Sequence, residues 1–196
     1  MNKSVKGIVV SSLALALIAG IVTAALAGTN ALTEKTIQTR EEQTENAARR
    51  QVLDADTFEK KTLGIADGDE VTYYEAVKAG ETAGYVFTTV ATGKSAGLTV
   101  LTGITKDGRI SGVVVTSDNE TAGYVDKVEK GGLLDAFREK EAKTLQFGVD
   151  VDGVSQATKT SKGITTAVNM AVSYYQQITT LQSDDAAWKT KGGNGE

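Results

Sequence analysis

The residues whose types and spacing best suit a chemical function lie in the segment Asp152–Thr158, where a carboxylate precedes a threonine by six positions. More hydroxyl groups follow, and the apolar periodicity of a helix begins near Ser161. The first N–H groups of a helix lack intrahelical acceptors and lie at the positive end of its dipole, so they favour a phosphate group. Thr158 is therefore a candidate residue of a phosphate-binding site. The alternative is an ordinary helix cap, because Ser and Thr side chains accept hydrogen bonds from a first turn.

The composition narrows the chemistry that such a site could perform. The chain has 196 residues and neither cysteine nor histidine, which removes thiolate nucleophiles, cysteine-ligated clusters and the commonest metal and haem ligand. We therefore predict no catalytic residue and no metal site, and any redox role would depend on an organic cofactor. Lys3 and Lys6 are the only charged residues among the first 30, so the remainder carries a net charge of −6. This charge disfavours a nucleic-acid-binding face.

A second candidate segment is Asn119–Tyr124, whose Glu-Thr-Ala-Gly sequence is predicted to form a loop after a strand. The same residues occur at Glu81–Val86, 39 positions earlier, but the flanking sequences do not match, so a duplication is not indicated. The first copy leads into a strand, where a glycine turn is ordinary. We assign function to the second copy only, and a simple glycine turn is the alternative for both.

The elements that must position these segments follow from hydrophobic periodicity, and they predict an α+β domain with an antiparallel sheet flanked by helices. Glycine-containing turns separate four strands, and Lys106–Gly108 is predicted to be a hairpin turn. Helical spacing is found over Val125–Lys143 and, more strongly, over Ser161–Leu181. The predicted strands are Val71–Val77, Tyr85–Ala91, Leu98–Thr105 and Arg109–Thr116.

The N-terminal region is predicted to anchor the domain in a membrane. Gly7–Ala27 contains 21 uncharged, mainly apolar residues, enough to cross a bilayer as a helix. Lys3 and Lys6 precede it, which favours a cytoplasmic N-terminus and an extracytoplasmic domain. A cleaved signal peptide ending at Ala27 is the alternative. The predicted division is a cytoplasmic N-terminus at 1–6, a transmembrane helix at 7–27, a stalk helix and linker at 28–66, a folded domain at 67–182 and a tail at 183–196.

The two motifs together resemble one known family. Asp152, Ser155, Ala157 and Thr158 match the D-x-x-[ST]-G-A-T flavinylation signal of the Rnf complex G subunit and of its relative, the C subunit of the sodium-translocating NADH:quinone reductase. Gln156 replaces the usual glycine. The 119–124 segment is similar to that family's E-T-P-G-[LI]-G loop. Its Glu120, Thr121 and Gly123 match, whereas Ala122, Tyr124 and Val125 depart from it. The order of anchor, stalk, strands, loop and final helix resembles the Rnf protein over most of the chain.

The resemblance implies an electron carrier in which a flavin transferase has joined the phosphate of FMN to the Thr158 hydroxyl. Asp152 and Ser155 would belong to the sequence that the transferase recognises. The resemblance further implies a subunit of a membrane-bound Rnf complex that passes electrons from ferredoxin to NAD and exports Na⁺ or H⁺. Its partners would be the other membrane subunits, the transferase and the lipid bilayer. The cofactor-binding residues would be Thr158, Ser155, Ala157, Lys159, Thr160 and Ser161 around the phosphate and Glu120, Thr121, Gly123 and Tyr124 along the ring.

Three alternatives to the Rnf assignment remain at this point. The chain could be the C subunit of the sodium-translocating NADH:quinone reductase, although that relative is usually longer. It could be a free-standing, membrane-anchored extracytoplasmic flavoprotein that serves another acceptor. It could also be a non-redox binding module in which the Ser/Thr-rich segment only caps a helix.

Overall fold

The computed structural model describes residues 15–17, 19–23, 26, 42–65, 69–95, 97–117 and 122–191, with the backbone alone described for 184–191. The chain divides into two compact units, Met1–Glu45 and Asn46–Glu196. The described part of the first unit is helical. No helix among the described residues is both long enough and apolar enough to cross a membrane. The predicted spanning segment Gly7–Ala27 lies largely outside the described residues. Of the predicted tail at 183–196, residues 192–196 lie outside them, whereas residues 183–191 are helical, so that part of the prediction is wrong.

The second unit is built on a five-stranded antiparallel sheet whose strand order follows the sequence. The predicted antiparallel α+β architecture is therefore confirmed, β4 has its predicted bounds, and Gly108 closes the predicted hairpin with a φ of 76°. The strands are β1 (Thr57–Gly64), β2 (Glu70–Lys78), β3 (Glu81–Ala91), β4 (Leu98–Thr105) and β5 (Ile110–Ser117).

The strand β1 was not predicted, since residues 57–64 were assigned to the linker. It lies at the edge of the sheet and pairs only with β2, and most of its side chains are exposed. Edge strands tolerate charged residues and need no apolar alternation, so the usual strand pattern is missing from its sequence. The folded domain therefore begins before residue 67.

The helices are α1 (residues 42–52), α2 (Tyr124–Lys130), α3 (Leu133–Ala136) and α4 (Thr158–Lys191). The single helix predicted over Val125–Lys143 is wrong, because the chain turns at Gly131 and Gly132, and Gly132 has a left-handed φ of 74°. After α3, the chain forms an isolated bridge between Glu141 and Arg109, beside the start of β5. Phe137 and Leu133 are buried, and Leu134 is partly buried.

The helix α4 crosses one face of the sheet and supplies much of the main core. The helical spacing predicted for Ser161–Leu181 is confirmed, since the residues of its apolar stripe are all buried: Ile164, Val168, Ala171, Val172 and Tyr175. The stripe packs with buried residues of β3 and β4 in one cluster. Burial along several turns fixes the direction of the helix, so the position of its first turn is set by the core and not by local capping alone.

The opposite face of the sheet is covered by the C-terminal end of α1. The glycines Gly103 and Gly112 pair across β4 and β5. A Cβ atom on Gly103 would lie 2.5 Å from the carbonyl oxygen of Val52. The Ser111 hydroxyl donates a hydrogen bond to that same oxygen. The absence of side chains at the paired glycines therefore lets the backbone of α1 rest directly on the sheet.

Candidate functional site

The candidate site is built around the first turn of α4, which begins at Thr158, three residues earlier than predicted. The Ser161 N–H makes the first helical bond, 2.9 Å long, to the Ala157 carbonyl oxygen. The N–H groups of Thr158, Lys159 and Thr160 precede that bond and have no acceptor within the helix. No acidic side chain lies in this turn to offset the positive end of the dipole. This end of the helix therefore attracts an anionic group.

A tight turn at Val154–Ala157 leads into the helix. The Ala157 N–H donates a 3.0 Å hydrogen bond to the Val154 carbonyl oxygen. Gln156, the third residue of the turn, has a φ of 66°. Positive φ at this position is typical of a type II turn, where glycine is preferred because it lacks a Cβ atom. The backbone thus keeps the conformation suited to the family's glycine although the residue has changed.

Replacing Gln156 with glycine is expected to raise the free energy of unfolding by about 0.5 kcal/mol. The left-handed conformation costs a non-glycine residue about 1 kcal/mol, and the greater freedom of glycine in the unfolded chain cancels part of that gain. Ser155→Gly is the matched control, since Ser155 is not among the described residues with positive φ, and it should be destabilising. Chemical denaturation of both variants measures the difference. A destabilised Gln156→Gly would contradict this account of the turn.

The turn is held in place by Ser161 and Val154. The buried Ser161 hydroxyl accepts a 3.2 Å hydrogen bond from the Val154 N–H and donates a 3.0 Å bond to the Ala157 carbonyl oxygen. Its proton is therefore already engaged, so the structure favours a positioning role for Ser161 over the predicted contact with a ligand. The Val154 side chain packs against Gly131, where a Cβ atom would lie 2.6 Å from Val154 Cγ2.

A cavity of about 250 Å³ opens beside Thr158. Thr160 lines it and is fully buried, yet its hydroxyl oxygen has no hydrogen-bond partner among the described residues. A buried hydroxyl without a partner is costly in a folded protein and is a signature of a polar ligand site. Thr158 itself is exposed, so an external enzyme can reach its hydroxyl. The lining residues are Lys94, Tyr124, Gln156, Ala157, Thr158, Lys159 and Thr160.

The Glu-Thr-Ala-Gly segment reaches this cavity through its last residues. Gly123 caps α2 with a φ of 82° and Tyr124 begins the helix, partly buried and lining the cavity. Glu120 and Thr121 lie outside the described residues. In the earlier copy, Gly84 lies within β3, and a Cβ atom there would lie 2.2 Å from the Ile104 carbonyl oxygen. That copy therefore has a structural role in strand packing.

Sequence reasoning missed Lys94, which lies on the loop between β3 and β4. Its Nζ donates a 2.7 Å hydrogen bond to the Tyr124 hydroxyl and lies 4.1 Å from the centre of the Tyr124 ring. The loop is seated on α4 at Gly163, where a Cβ atom would lie 2.8 Å from Gly93 Cα. The only sequence signal was a lysine preceded by Gly93 and followed by Gly97 between two strands.

A second, wider cavity of about 510 Å³ lies along α4 and begins one turn after Thr158. Its wall is well ordered, because the Asn169 side chain exchanges hydrogen bonds with both the N–H and the carbonyl oxygen of Leu145, at 2.8 and 2.9 Å. Phe147 also lines it and packs on Gly153, where a Cβ atom would lie 2.5 Å from the ring. Thr158 itself lines the smaller cavity, and the wider one is lined by α4 residues from Lys162 onward.

The predicted recognition residues are exposed, Ser155 within the turn and Asp152 two residues before it. Asp152 and Ser155 are both exposed, as is Lys159 in the first turn of α4. Ala157 is buried, with 1% of its surface exposed, which fits the small side chain of the motif. A macromolecule that approaches Thr158 from solvent would therefore meet Asp152 and Ser155 together with it.

Comparison with known proteins agrees with this geometry. Residues 93–173 match the family model of the FMN-binding domain, and these residues include the β3–β4 loop, Tyr124 and the start of α4. The domain is therefore an FMN-binding domain. Residues 1–52 match the model of the RnfG N-terminal region.

Individual relatives identify the protein family more closely than the domain model does. It is 33% identical over 188 residues to the G subunit of the Na⁺-translocating ferredoxin:NAD⁺ oxidoreductase complex of Acetobacterium woodii, with 85% of this chain and 90% of the relative covered. It is 31% identical over 136 residues to the G subunit of the proton-translocating ferredoxin:NAD⁺ oxidoreductase complex of Clostridium ljungdahlii, with 66% of this chain and 69% of that relative covered. The crystal structure of Shewanella oneidensis NqrC matches with a TM-score of 0.48 and 21% identity, over 67% of this chain and 74% of that one.

The chain belongs to the RnfG family, the G subunits of ion-translocating ferredoxin:NAD⁺ oxidoreductase complexes, as the motifs predicted. The match to the N-terminal region of RnfG separates it from the alternative assignment to the sodium-translocating quinone reductase. The non-redox binding module is likewise replaced by an FMN-binding domain.

Proposed function

We propose that this chain is an electron-carrying subunit whose FMN is joined by its phosphate to the hydroxyl oxygen of Thr158. The observation that carries the proposal is the buried, unpartnered Thr160 hydroxyl, which lines a cavity beside the exposed Thr158 at the free end of α4. A phosphate there would meet three helix N–H groups, a hydroxyl donor and a lysine. These residues fit the phosphate of FMN.

The ester requires an activated flavin nucleotide in which the FMN phosphate is part of an anhydride. The Thr158 oxygen forms the new P–O bond while the anhydride P–O bond breaks, and the departing nucleotide takes the electron pair. The hydroxyl proton passes to a base of the flavin transferase. The role of this chain is to present Thr158 in the open, with the exposed side chains of Asp152 and Ser155 shortly before it in the chain for recognition.

The bound flavin supplies reversible electron transfer, and the surrounding residues set its environment. Ala157, Lys159 and Thr160 line the cavity beside the phosphate position, with Ser161 holding the turn. Tyr124 also lines the cavity, Gly123 precedes it as the cap of α2, and Glu120 and Thr121 are assigned to the flavin from the motif. The ester bond leaves the ring itself unmodified, so its potential depends on this pocket.

In the cell, we place this protein in a membrane complex that moves electrons between ferredoxin and NAD⁺ and translocates Na⁺ or H⁺, as the names of the relatives state for those proteins. The uncharged segment Gly7–Ala27 would anchor it in the cytoplasmic membrane with the N-terminus inside and the flavin domain outside. A covalent bond then prevents loss of the cofactor by dilution outside the cell.

The proposal is tested by expressing the full chain with and without a flavin transferase and examining the denatured protein by gel fluorescence. We expect a fluorescent band only with the transferase, because denaturation releases a flavin that is not covalently bound. A dark band in both samples would contradict the covalent attachment, and a bright band in both would contradict the role of the transferase.

Replacing Thr160 with valine is expected to have opposite effects on stability and on flavin binding. Without a ligand, the variant should be more stable by about 1 kcal/mol, because it removes a buried hydroxyl that has no partner. Its affinity for FMN should fall about tenfold, because a hydrogen bond to a charged phosphate is lost. Both are measured on protein made without the transferase, by denaturation and by FMN fluorescence quenching.

Thr102→Val is the matched control for this experiment. The Thr102 hydroxyl is also buried without a partner, but it does not line the cavity. Its replacement should stabilise the protein and leave FMN affinity unchanged. Equal loss of FMN affinity in both variants, or no loss in Thr160→Val, would contradict the role of Thr160.

A further inference from the structure

We propose that Lys94 is the side chain that pairs with the phosphate of the bound flavin, and that the Tyr124 hydroxyl holds it at the cavity before the flavin arrives. This inference rests on the proposed function above, since it names a binding residue of the same site. Lys94 lies outside both sequence motifs and does not belong to the segment that carries Thr158.

The first line of support is the placement of the loop that carries Lys94. Gly163 lies one helical turn after Thr160 and, by helical periodicity, on the same face of α4. At Gly163 the helix touches the backbone of the β3–β4 loop, because a Cβ atom there would lie 2.8 Å from both Gly93 Cα and the Thr92 carbonyl oxygen. The loop is thus seated beside the unpartnered Thr160 hydroxyl, and the next residue after Gly93 is Lys94.

The second line of support comes from comparing the nearby lysines. Lys94 and Lys159 both line the smaller cavity, whereas Lys162 lines the wider one and lies 5.5 Å from the Phe147 ring. Lys94 is held by the 2.7 Å hydrogen bond to the Tyr124 hydroxyl. No such contact is found for Lys159 among the described residues. A lysine that is already ordered loses less side-chain entropy when it binds a ligand, so Lys94 is the better-prepared cation.

The third line of support compares two hydrogen bonds of Lys94, the one it makes with Tyr124 and the one it would make with a phosphate. One of the contacts of the Lys94 ammonium is a hydrogen bond to the neutral Tyr124 phenol oxygen. A phosphate oxygen is a stronger acceptor, because hydrogen bonds between two charged groups are shorter and stronger than those to a neutral oxygen. Lys127 lies 5.3 Å from the same Tyr124 ring and donates to Gln156 Oε1 at 3.4 Å, which adds positive charge at this wall. A phosphate oxygen in place of the Tyr124 hydroxyl would therefore give Lys94 a stronger hydrogen bond than the one it makes with the phenol.

The test uses the full chain with Thr158→Val, which cannot form the ester, and measures its affinity for FMN and for riboflavin by fluorescence quenching. Riboflavin has the same ring but no phosphate. Adding Lys94→Gln should weaken FMN binding about tenfold, the usual value of one charged hydrogen bond that is partly exposed to solvent. Riboflavin binding should not change. Lys94→Arg should retain most of the FMN affinity, and Lys159→Gln should weaken FMN binding less than Lys94→Gln does. Lys130→Gln, at an exposed lysine that does not line the cavity, should lie within about twofold of the parent.

Three results would overturn the inference: equal weakening of FMN and riboflavin, unchanged FMN binding in Lys94→Gln, or a larger loss in Lys159→Gln. If FMN binding to the Thr158→Val parent is too weak to measure, the ³¹P resonance of the covalently loaded protein replaces it. Lys94→Gln should shift that resonance more than Lys159→Gln does, and Lys130→Gln should leave it unchanged. An unshifted resonance in Lys94→Gln would reject the pairing. Failure of covalent attachment is seen separately, as a dark band on the denaturing gel.

Discussion

Replacing Thr158 with alanine is expected to give a folded protein that carries no covalent flavin. The side chain is exposed at the first position of α4, and the core stripe of that helix begins at Ile164, so the fold does not depend on it. The hydroxyl oxygen is the proposed attachment atom, and no other atom of residue 158 can replace it. Gel fluorescence of the denatured protein, co-expressed with the transferase, should therefore fall to background.

Two further variants make this result specific. Thr166→Ala removes another exposed threonine hydroxyl of α4, one that donates to the Lys162 carbonyl oxygen. This variant should carry as much covalent flavin as the chain without any substitution. Thr158→Ser keeps a hydroxyl at the attachment position and should retain some fluorescence. A band that stays bright in Thr158→Ala would show that the flavin is attached elsewhere.

Replacing Gly163 with alanine is expected to separate the loop that carries Lys94 from the start of α4. The new Cβ atom would lie 2.8 Å from backbone atoms of that loop, too close for an undistorted contact. Overpacking of this kind costs about 1–3 kcal/mol, and the better helix propensity of alanine returns about 1 kcal/mol. The free energy of unfolding should therefore change little. The non-covalent affinity for FMN should fall about tenfold or more, because Lys94 and Thr160 move apart.

The control is Gly64→Ala at the end of β1, where a Cβ atom would have no neighbour within 4 Å. That variant should bind FMN as the parent does. Thermal unfolding of both variants, measured beside FMN quenching, separates a local displacement from a general loss of structure. Unchanged FMN affinity in Gly163→Ala would show that the loop does not contribute to the site.

The parts of the fold that were predictable are those whose sequence pattern reports burial directly. The stripe of α4 and the strand β4 are buried, and their apolar periodicity is clear in the sequence. The strand β1 lacks such a pattern because it is an exposed edge. The break between α2 and α3 depends on the left-handed conformation of Gly132, whereas the apolar residues on either side still suggested one continuous helix.

At the site, too, the features within one short segment were predictable from the sequence, whereas those that depend on distant parts of the chain were not. Thr158 and the turn before it belong to one short segment, so a sequence motif could identify them. The unpartnered state of the Thr160 hydroxyl is a property of the packed structure and has no sequence signature. Lys94 reaches the site from 64 residues away in the chain, through the contact of its loop with Gly163. The usual preference for glycine at position 156 follows from the left-handed φ of 66° there, and that angle is known only from the structure.

The central claim is tested most directly by mass spectrometry of the chain purified after co-expression with a flavin transferase. Trypsin cleaves after lysine, so Thr158 is expected in the peptide spanning residues 144–159, which also contains Thr144 and Ser155. We predict a mass increase equal to one esterified FMN, with fragment ions that place it on Thr158. An unmodified peptide, or a flavin located on Thr144 or Ser155, would contradict the account.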